Sequence, residues 1–257
     1  MQEGTEIAAD IREYIAETTR CFKDVLRDNL VGLYLCGSLV QDDFEAHRSD
    51  IDLLGVVSEE LNDIARQRLV SQLSHEVRAV PAQGLEAVLF RADTVRLPKL
   101  GFPFEFAFST GPQGEPVCEA PGTADDMLID IALCRDAGIA LAGPSASEAF
   151  APISRRLLRH ALVEELQWHK REVRKHVDDT AAVNAILNAA RSLHAAESGQ
   201  ILSKTQGGRW WLQRYPFDDL VASALSSREK GQADAITPAD VSGFVDEVIH
   251  RIKACYD

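Results

Sequence analysis

Between Glu6 and Asp28, apolar residues recur at every third or fourth position: Ile7, Ile11, Tyr14, Ile15, Phe22, Val25 and Leu26, with charges between them. That spacing predicts an amphipathic helix. The pattern then shortens. Leu33, Tyr34 and Leu35 form an apolar run that Gly37-Ser38 breaks, and Ile51 to Val57 is a second run with Gly55 inside it. Both read as buried strands. Ser58 to Leu73 returns to a helical spacing through Leu61, Ile64, Leu69 and Leu73, with Ser58 as its cap and Glu59 and Glu60 in its first turn. A third strand follows at Leu85 to Arg91, LEAVLFR, and alternating phenylalanines from Phe102 to Phe108 predict a short aromatic strand. Prolines and glycines crowd this region, so Thr110 to Gly122 reads as a flexible loop. Thr123 can cap a helix over 124–137 that Gly138 ends, and the run Ile139 to Pro144 leads into a linker near Gly143 to Pro152.

From Ser154 onward the pattern is helical throughout. It predicts one long helix to Val177, a second over Thr180 to Ser198, a turn at Gly207-Gly208 and a short helix from Arg209 to Tyr215 whose Trp210 and Trp211 belong in the core. Phe217 to Lys230 and Pro238 to Tyr256, the latter capped by Thr237, complete a bundle. The boundary divides the chain into residues 1–150 and 151–257.

Composition narrows the class. With 257 residues, 46% hydrophobic and 26% charged, the chain has room for one large or two modest globular domains. No apolar run is long enough to span a bilayer, and the acidic, amphipathic N-terminus is unlike a secretory signal, so a cytoplasmic protein without membrane partners is expected. Cys21, Cys36, Cys118, Cys134 and Cys255 show no metal-ligand spacing and are an odd number, which predicts reduced, mostly buried thiols. The histidines form no His-x-x-x-His pair, so no structural zinc is expected. A net charge of −13 opposes nucleic-acid binding and suits a cationic small molecule.

The candidate chemistry lies between the first two strands. Asp50 and Asp52 stand two residues apart at the start of the second strand, and because side chains alternate faces, both carboxylates point the same way. Two such carboxylates suit a hard divalent cation such as Mg2+. Gly37 lets backbone approach a phosphate, Ser38 offers N–H and hydroxyl donors, and Ser49 could add another. Glu86 interrupts an apolar strand, which costs free energy unless the carboxylate is paired, used or turned to water.

GSLVQDDFEAHRSDIDLL, with Gly-Ser followed by Ser-Asp-x-Asp, resembles the signature of the polymerase-β-like nucleotidyltransferases. The resemblance to the streptomycin/spectinomycin branch of the aminoglycoside adenylyltransferases extends over nearly the whole chain, including DDMLIDIALCRDAGIALAGP and NAARSLHAAESGQILSKTQGG. It implies an α+β architecture: an N-terminal mixed sheet with helices, then an all-helical C-terminal bundle. It also implies Mg-dependent O-adenylylation of an aminoglycoside-type antibiotic by a monomer, with ATP as co-substrate and pyrophosphate as product. Acceptors of another class, a protein or an RNA, and a catalytically silent nucleotide-binding protein, are the alternatives within the same fold.

In that resemblance Asp50 and Asp52 hold one or two Mg2+ ions, Glu86 is the general base, and Arg191 and Lys204 reach the triphosphate from the second domain. Asp178 and Asp179 have two readings. They cap the following helix, or they line an acidic pocket for the drug's ammonium groups, with Glu164 and Glu165 as further acidic candidates. Streptomycin-modifying relatives carry a tryptophan in the region that corresponds to Asp93 to Thr123. Here all three tryptophans lie later, at Trp168, Trp210 and Trp211, which favours spectinomycin over streptomycin.

Overall fold

The N-terminal helical period forms Ala9–Leu26 (α1), which buries Ile11, Tyr14, Ile15, Phe22, Val25 and Leu26. In this computed structural model, which describes residues 7–112, 114–119, 121–175, 179–231 and 236–255, the chain divides into two compact units, one ending at Pro152 and the other beginning at Ile153.

The first unit continues through Leu30–Leu35 (β1), Ile51–Val57 (β2), Asp63–Leu73 (α2), Leu85–Arg91 (β3), Ala92–Arg96 (α3), Pro103–Phe104 (β4), Phe106–Gly111 (β5), Gly114–Glu119 (β6), Gly122–Thr123 (β7), Met127–Ala137 (α4), Ile139–Ala142 (β8) and Ala146–Ala149 (α5). The main sheet has the order β6-β5-β3-β2-β1-β8, and β4 pairs with β7 apart from it. β2 and β3 run parallel, joined by the crossover that contains α2, and the other pairs in the main sheet are antiparallel. Alternate residues Leu33, Leu35, Ile51, Leu53, Leu85, Ala87 and Leu89 pack into one core with α1 and α2. Strand alternation therefore turns Tyr34, Asp52 and Glu86 to the other face.

Three local readings change in this unit. The 110–122 segment is not a loop: β5 and β6 make an antiparallel hairpin, turning near Gly111 and Gly114, which oppose one another. β6 is an exposed edge, so it lacks the apolar alternation by which strands are recognised. Ser58 caps no helix. Its hydroxyl donates to Asn29 Oδ1 at 2.7 Å, and the helix instead begins after Asn62, whose side chain accepts the Ala65 N–H at 2.8 Å. Leu61 is buried ahead of that helix, and Ile64 is 71% exposed. Thr123 lies in β7, and α4 starts only at Met127.

The second unit consists of Arg155–Lys175 (α6), Asp179–Ser198 (α7), Lys204–Arg214 (α8), Asp219–Lys230 (α9) and Pro238–Ala254 (α10). α7 carries Ala185, Ile186, Leu187, Ala189, Ala190 and Leu193 in nearly complete burial and packs against α6, α8, α9 and α10. A helix apolar on most of its circumference belongs at the centre of a bundle. Gly207-Gly208 is not a turn. Both glycines lie inside α8, which starts at a Ser203–Gln206 capping box, and both are buried. A Cβ on Gly207 would lie 2.5 Å from Arg191 Cβ and 2.9 Å from its Cα, so the glycine sets a close α7–α8 approach.

Gly207→Ala is accordingly expected to destabilise the chain by about 1–3 kcal/mol, as overpacking does. The helix-propensity gain of roughly 1 kcal/mol for alanine over glycine does not offset a contact against backbone. A lowered urea midpoint checks this, and an unchanged midpoint would mean that the crossing can open without loss. Among the described residues, no helix is long and apolar enough to cross a membrane.

Candidate active site

Gly37 adopts φ +65°, in the left-handed region that favours glycine, and opens the short 3-10 turn Gly37–Val40 directly after β1. The turn is tied back to the sheet by the Cys36 N–H, which donates to Asp52 O at 2.9 Å, and closed by the Gln41 and Asp43 N–H groups, which donate to Ser38 O. A Cβ on Gly37 would lie only 1.7 Å from Asp52 Oδ2. The Asp52 carboxylate therefore occupies the space that any other residue at position 37 would fill.

A second glycine does the same for Asp50. A Cβ on Gly84, one residue before β3, would lie 2.6 Å from Asp50 Oδ1 and 2.9 Å from Thr110 O. Sequence reasoning passed over Gly84. Its place immediately before a buried strand was the available signal, and the carboxylate that needs its missing side chain is far away in sequence. Both aspartates are half-buried.

The register brings the third carboxylate beside them. Asp52 is the parallel partner of Glu86, and Ser109 on β5 lies opposite Glu86 on its other side. Asp52 and Glu86 both face away from the α1–α2 core, and neighbouring strands lie about 4.8 Å apart. Glu86 is exposed, which leaves it accessible to solutes. Ser49 is buried. Its hydroxyl accepts the Glu45 N–H at 3.1 Å, and its own N–H donates to Glu45 O at 2.8 Å, so it closes the turn ahead of Asp50. Burial first, then the Cys134 thiol and the Asp52 carboxylate, push the Cys36 thiol well above its ordinary pKa. Cys36 thus stays a neutral thiol beside the aspartates and offers no thiolate nucleophile.

Among the described residues, no group of three or more His, Cys, Asp and Glu is arranged to hold a metal ion on its own. Asp50 and Asp52 fit a different kind of site. Mg2+ is commonly bound by one or two carboxylates together with substrate phosphates and water, and the Asp52 carboxylate, seated against Gly37, adjoins a glycine turn suited to phosphate.

In the second unit, Lys204 is the first residue of α8, and its Nζ donates to Asn184 Oδ1 at 3.1 Å. Arg191 is mostly buried on α7, with Nη2 at 3.5 Å from Glu165 Oε1. The face carrying Asn184, Asn188, Arg191 and His194 is turned partly inward, with Asn188 2% exposed. Asp178 lies outside the described residues, and Asp179 opens α7 with its side chain likewise outside them.

Residues 148–254 match the family model described as "Aminoglycoside adenylyltransferase, C-terminal domain". The chain is 25% identical over 257 residues to an aminoglycoside (3'') (9) adenylyltransferase of Shigella flexneri, covering 96% of this chain and 95% of the relative. It is 26% identical over 230 residues to a spectinomycin 9-adenylyltransferase of Staphylococcus aureus, covering 85% of each. The same fold occurs in the crystal structure of spectinomycin adenyltransferase AAD(9) from Enterococcus faecialis with ATP and spectinomycin. The match has a TM-score of 0.77 at 20% identity and covers 94% of this chain and 99% of that one.

Proposed function

We propose that this chain is an aminoglycoside adenylyltransferase, a reading supported by the family-model match over residues 148–254 and by relatives such as those at 25% and 26% identity, and that it transfers AMP from ATP to a hydroxyl of an aminoglycoside-type antibiotic, with spectinomycin favoured over streptomycin. The observation that carries the reading is the β2–β3 register. It puts Glu86 beside Asp52, whose carboxylate sits in the space that the absent Gly37 side chain leaves.

In this reading Gly37 and Ser38 hold the phosphates with their turn, and Ser49 supports them by fixing the segment before Asp50. Asp50 and Asp52 would hold one or two Mg2+ ions, and a metal held by them would supply neutralisation of the charge that develops on the triphosphate. Glu86 accepts the proton of the drug hydroxyl as that oxygen attacks the α-phosphorus. The bond from the α-phosphorus to its bridging oxygen breaks, pyrophosphate leaves with the electron pair, and the proton passes from Glu86 to solvent. Arg191 and Lys204 bind phosphate oxygens, Arg191 through its planar fork and Lys204 as a point charge. Asp178 and Asp179 are proposed for the drug's ammonium groups. A net charge of −13 suits the cationic acceptor.

Pyrophosphate release by the purified chain with MgATP, across spectinomycin, streptomycin, kanamycin and no drug, tests this. Release is expected with spectinomycin and not without drug, and EDTA should abolish it. Mass spectrometry of the product locates the hydroxyl. No release with any drug, in protein that binds ATP, would move the acceptor to another class such as a protein or RNA.

A further inference from the structure

Arg191 is held at two ends within the helical unit. Its backbone is pressed by α8 at Gly207, and its guanidinium faces Glu165 of α6. The side chains are enclosed: Arg191 is 16% exposed, Glu165 17% and His169 13%. Glu165 Oε1 lies 3.5 Å from Arg191 Nη2 and 3.9 Å from His169 Nε2, whereas Oε2 is buried with no hydrogen-bond partner among the described residues. Burial favours the protonated form of Glu165. The His169 contact and the charges of Arg191 and Lys204 outweigh it, so its pKa lies below the ordinary value.

For stability alone this is a poor arrangement. A buried ion pair rarely gains over apolar packing, and an unsatisfied buried carboxylate oxygen costs about 1–3 kcal/mol. It suits the handling of an anion. A charge-assisted contact made for strength is about 2.7–2.9 Å long, so at 3.5 Å Glu165 orients the guanidinium while leaving most of its fork for a ligand. The charges of Arg191 and Lys204 both act on this one carboxylate, and the surplus positive charge suits a polyphosphate.

We propose that Glu165 is a positioning residue that aims Arg191 at the triphosphate of ATP. This role rests on the phosphate-binding reading of Arg191 given above. It separates Glu165 from an acidic drug-binding group, which would face the acceptor rather than a buried arginine.

The test is a double-mutant cycle on MgATP affinity, measured by titration calorimetry on the full chain without any drug. Glu165→Gln keeps the shape and removes the charge, and should weaken MgATP binding about tenfold, a coupling within the usual range for contacting residues. In the Arg191→Ala background the same change should have no effect. Equal loss in both backgrounds would mean general damage to the bundle. Unchanged or tighter binding in Glu165→Gln would mean that the carboxylate only opposes the phosphates. Either result overturns the proposal. Full affinity in Arg191→Ala alone would instead withdraw the phosphate role of Arg191, and this role with it. If circular dichroism shows Glu165→Gln unfolded, Glu165→Asp carries the test. It retains the charge one methylene short and should give a smaller loss, again absent with Arg191→Ala.

Discussion

Glutamine in place of Glu86 is expected to slow turnover by about 10²–10⁴-fold, the usual contribution of a positioned general base, and to leave MgATP affinity unchanged. The structure supports a clean experiment. Glu86 lies within β3 on the face turned from the α1–α2 core, and it is exposed. Substitutions at such positions usually shift stability by no more than about 0.5 kcal/mol. The amide keeps the size but cannot take a proton at neutral pH. Single-turnover rates with saturating ATP and drug separate chemistry from product release. A variant with wild-type rate would remove Glu86 as the base and leave the attacking hydroxyl without an identified acceptor.

The second large effect concerns a residue with no side chain. Alanine at position 37 would place Cβ 1.7 Å from Asp52 Oδ2, far inside van der Waals contact, at a φ of +65°. Either the turn opens or the carboxylate swings away, and in both cases Asp52 leaves its place. Gly37→Ala should therefore lose turnover on the same scale as Asp52→Asn, about 10²–10³-fold, as expected when one preorganised electrostatic group is lost. Gly101 supplies the control. Its φ is +68°, yet nothing lies within 4 Å of the Cβ position. Gly101→Ala carries the same left-handed strain, about 1–2 kcal/mol, and should lower the urea midpoint without touching turnover. Comparable loss of turnover in both variants would show that strain, and not the Asp52 contact, is responsible.

Much of this site can be read from the chain because the strands that build it are continuous apolar runs. Ile51–Val57 and Leu85–Arg91 have the bounds their residues predict, and alternation alone assigns Asp52 and Glu86 to one side of each strand. What alternation does not contain is the register between strands, which makes the two carboxylates neighbours. The other differences share a cause. Ser58 has the chemistry of a cap, but Asn29, distant in sequence, accepts from its hydroxyl and from the Glu59 N–H. Gly207-Gly208 has the composition of a turn, and the same two glycines equally serve two helices that must approach closely. Glu164 and Glu165 are adjacent and chemically alike. Only helical phase, fixed once α6 packs on α7, decides that Glu165 meets Arg191. In each case local composition allows two outcomes and a tertiary partner selects one.

The parallel pairing of β2 with β3 also has a kinetic side. An antiparallel neighbour can form through a tight hairpin, as β5 and β6 do, whereas a parallel neighbour needs a crossover to close first. Here the loop from Ser58 to Gly84, with α2 inside it, must be ordered before Asp52 and Glu86 come together. Long-range pairings of this kind carry their loop-closure entropy in advance and belong to the slow part of folding. Asp52 and Glu86 thus come together only through a long-range closure, and a chain with only its local helices and hairpin formed has not yet made them neighbours.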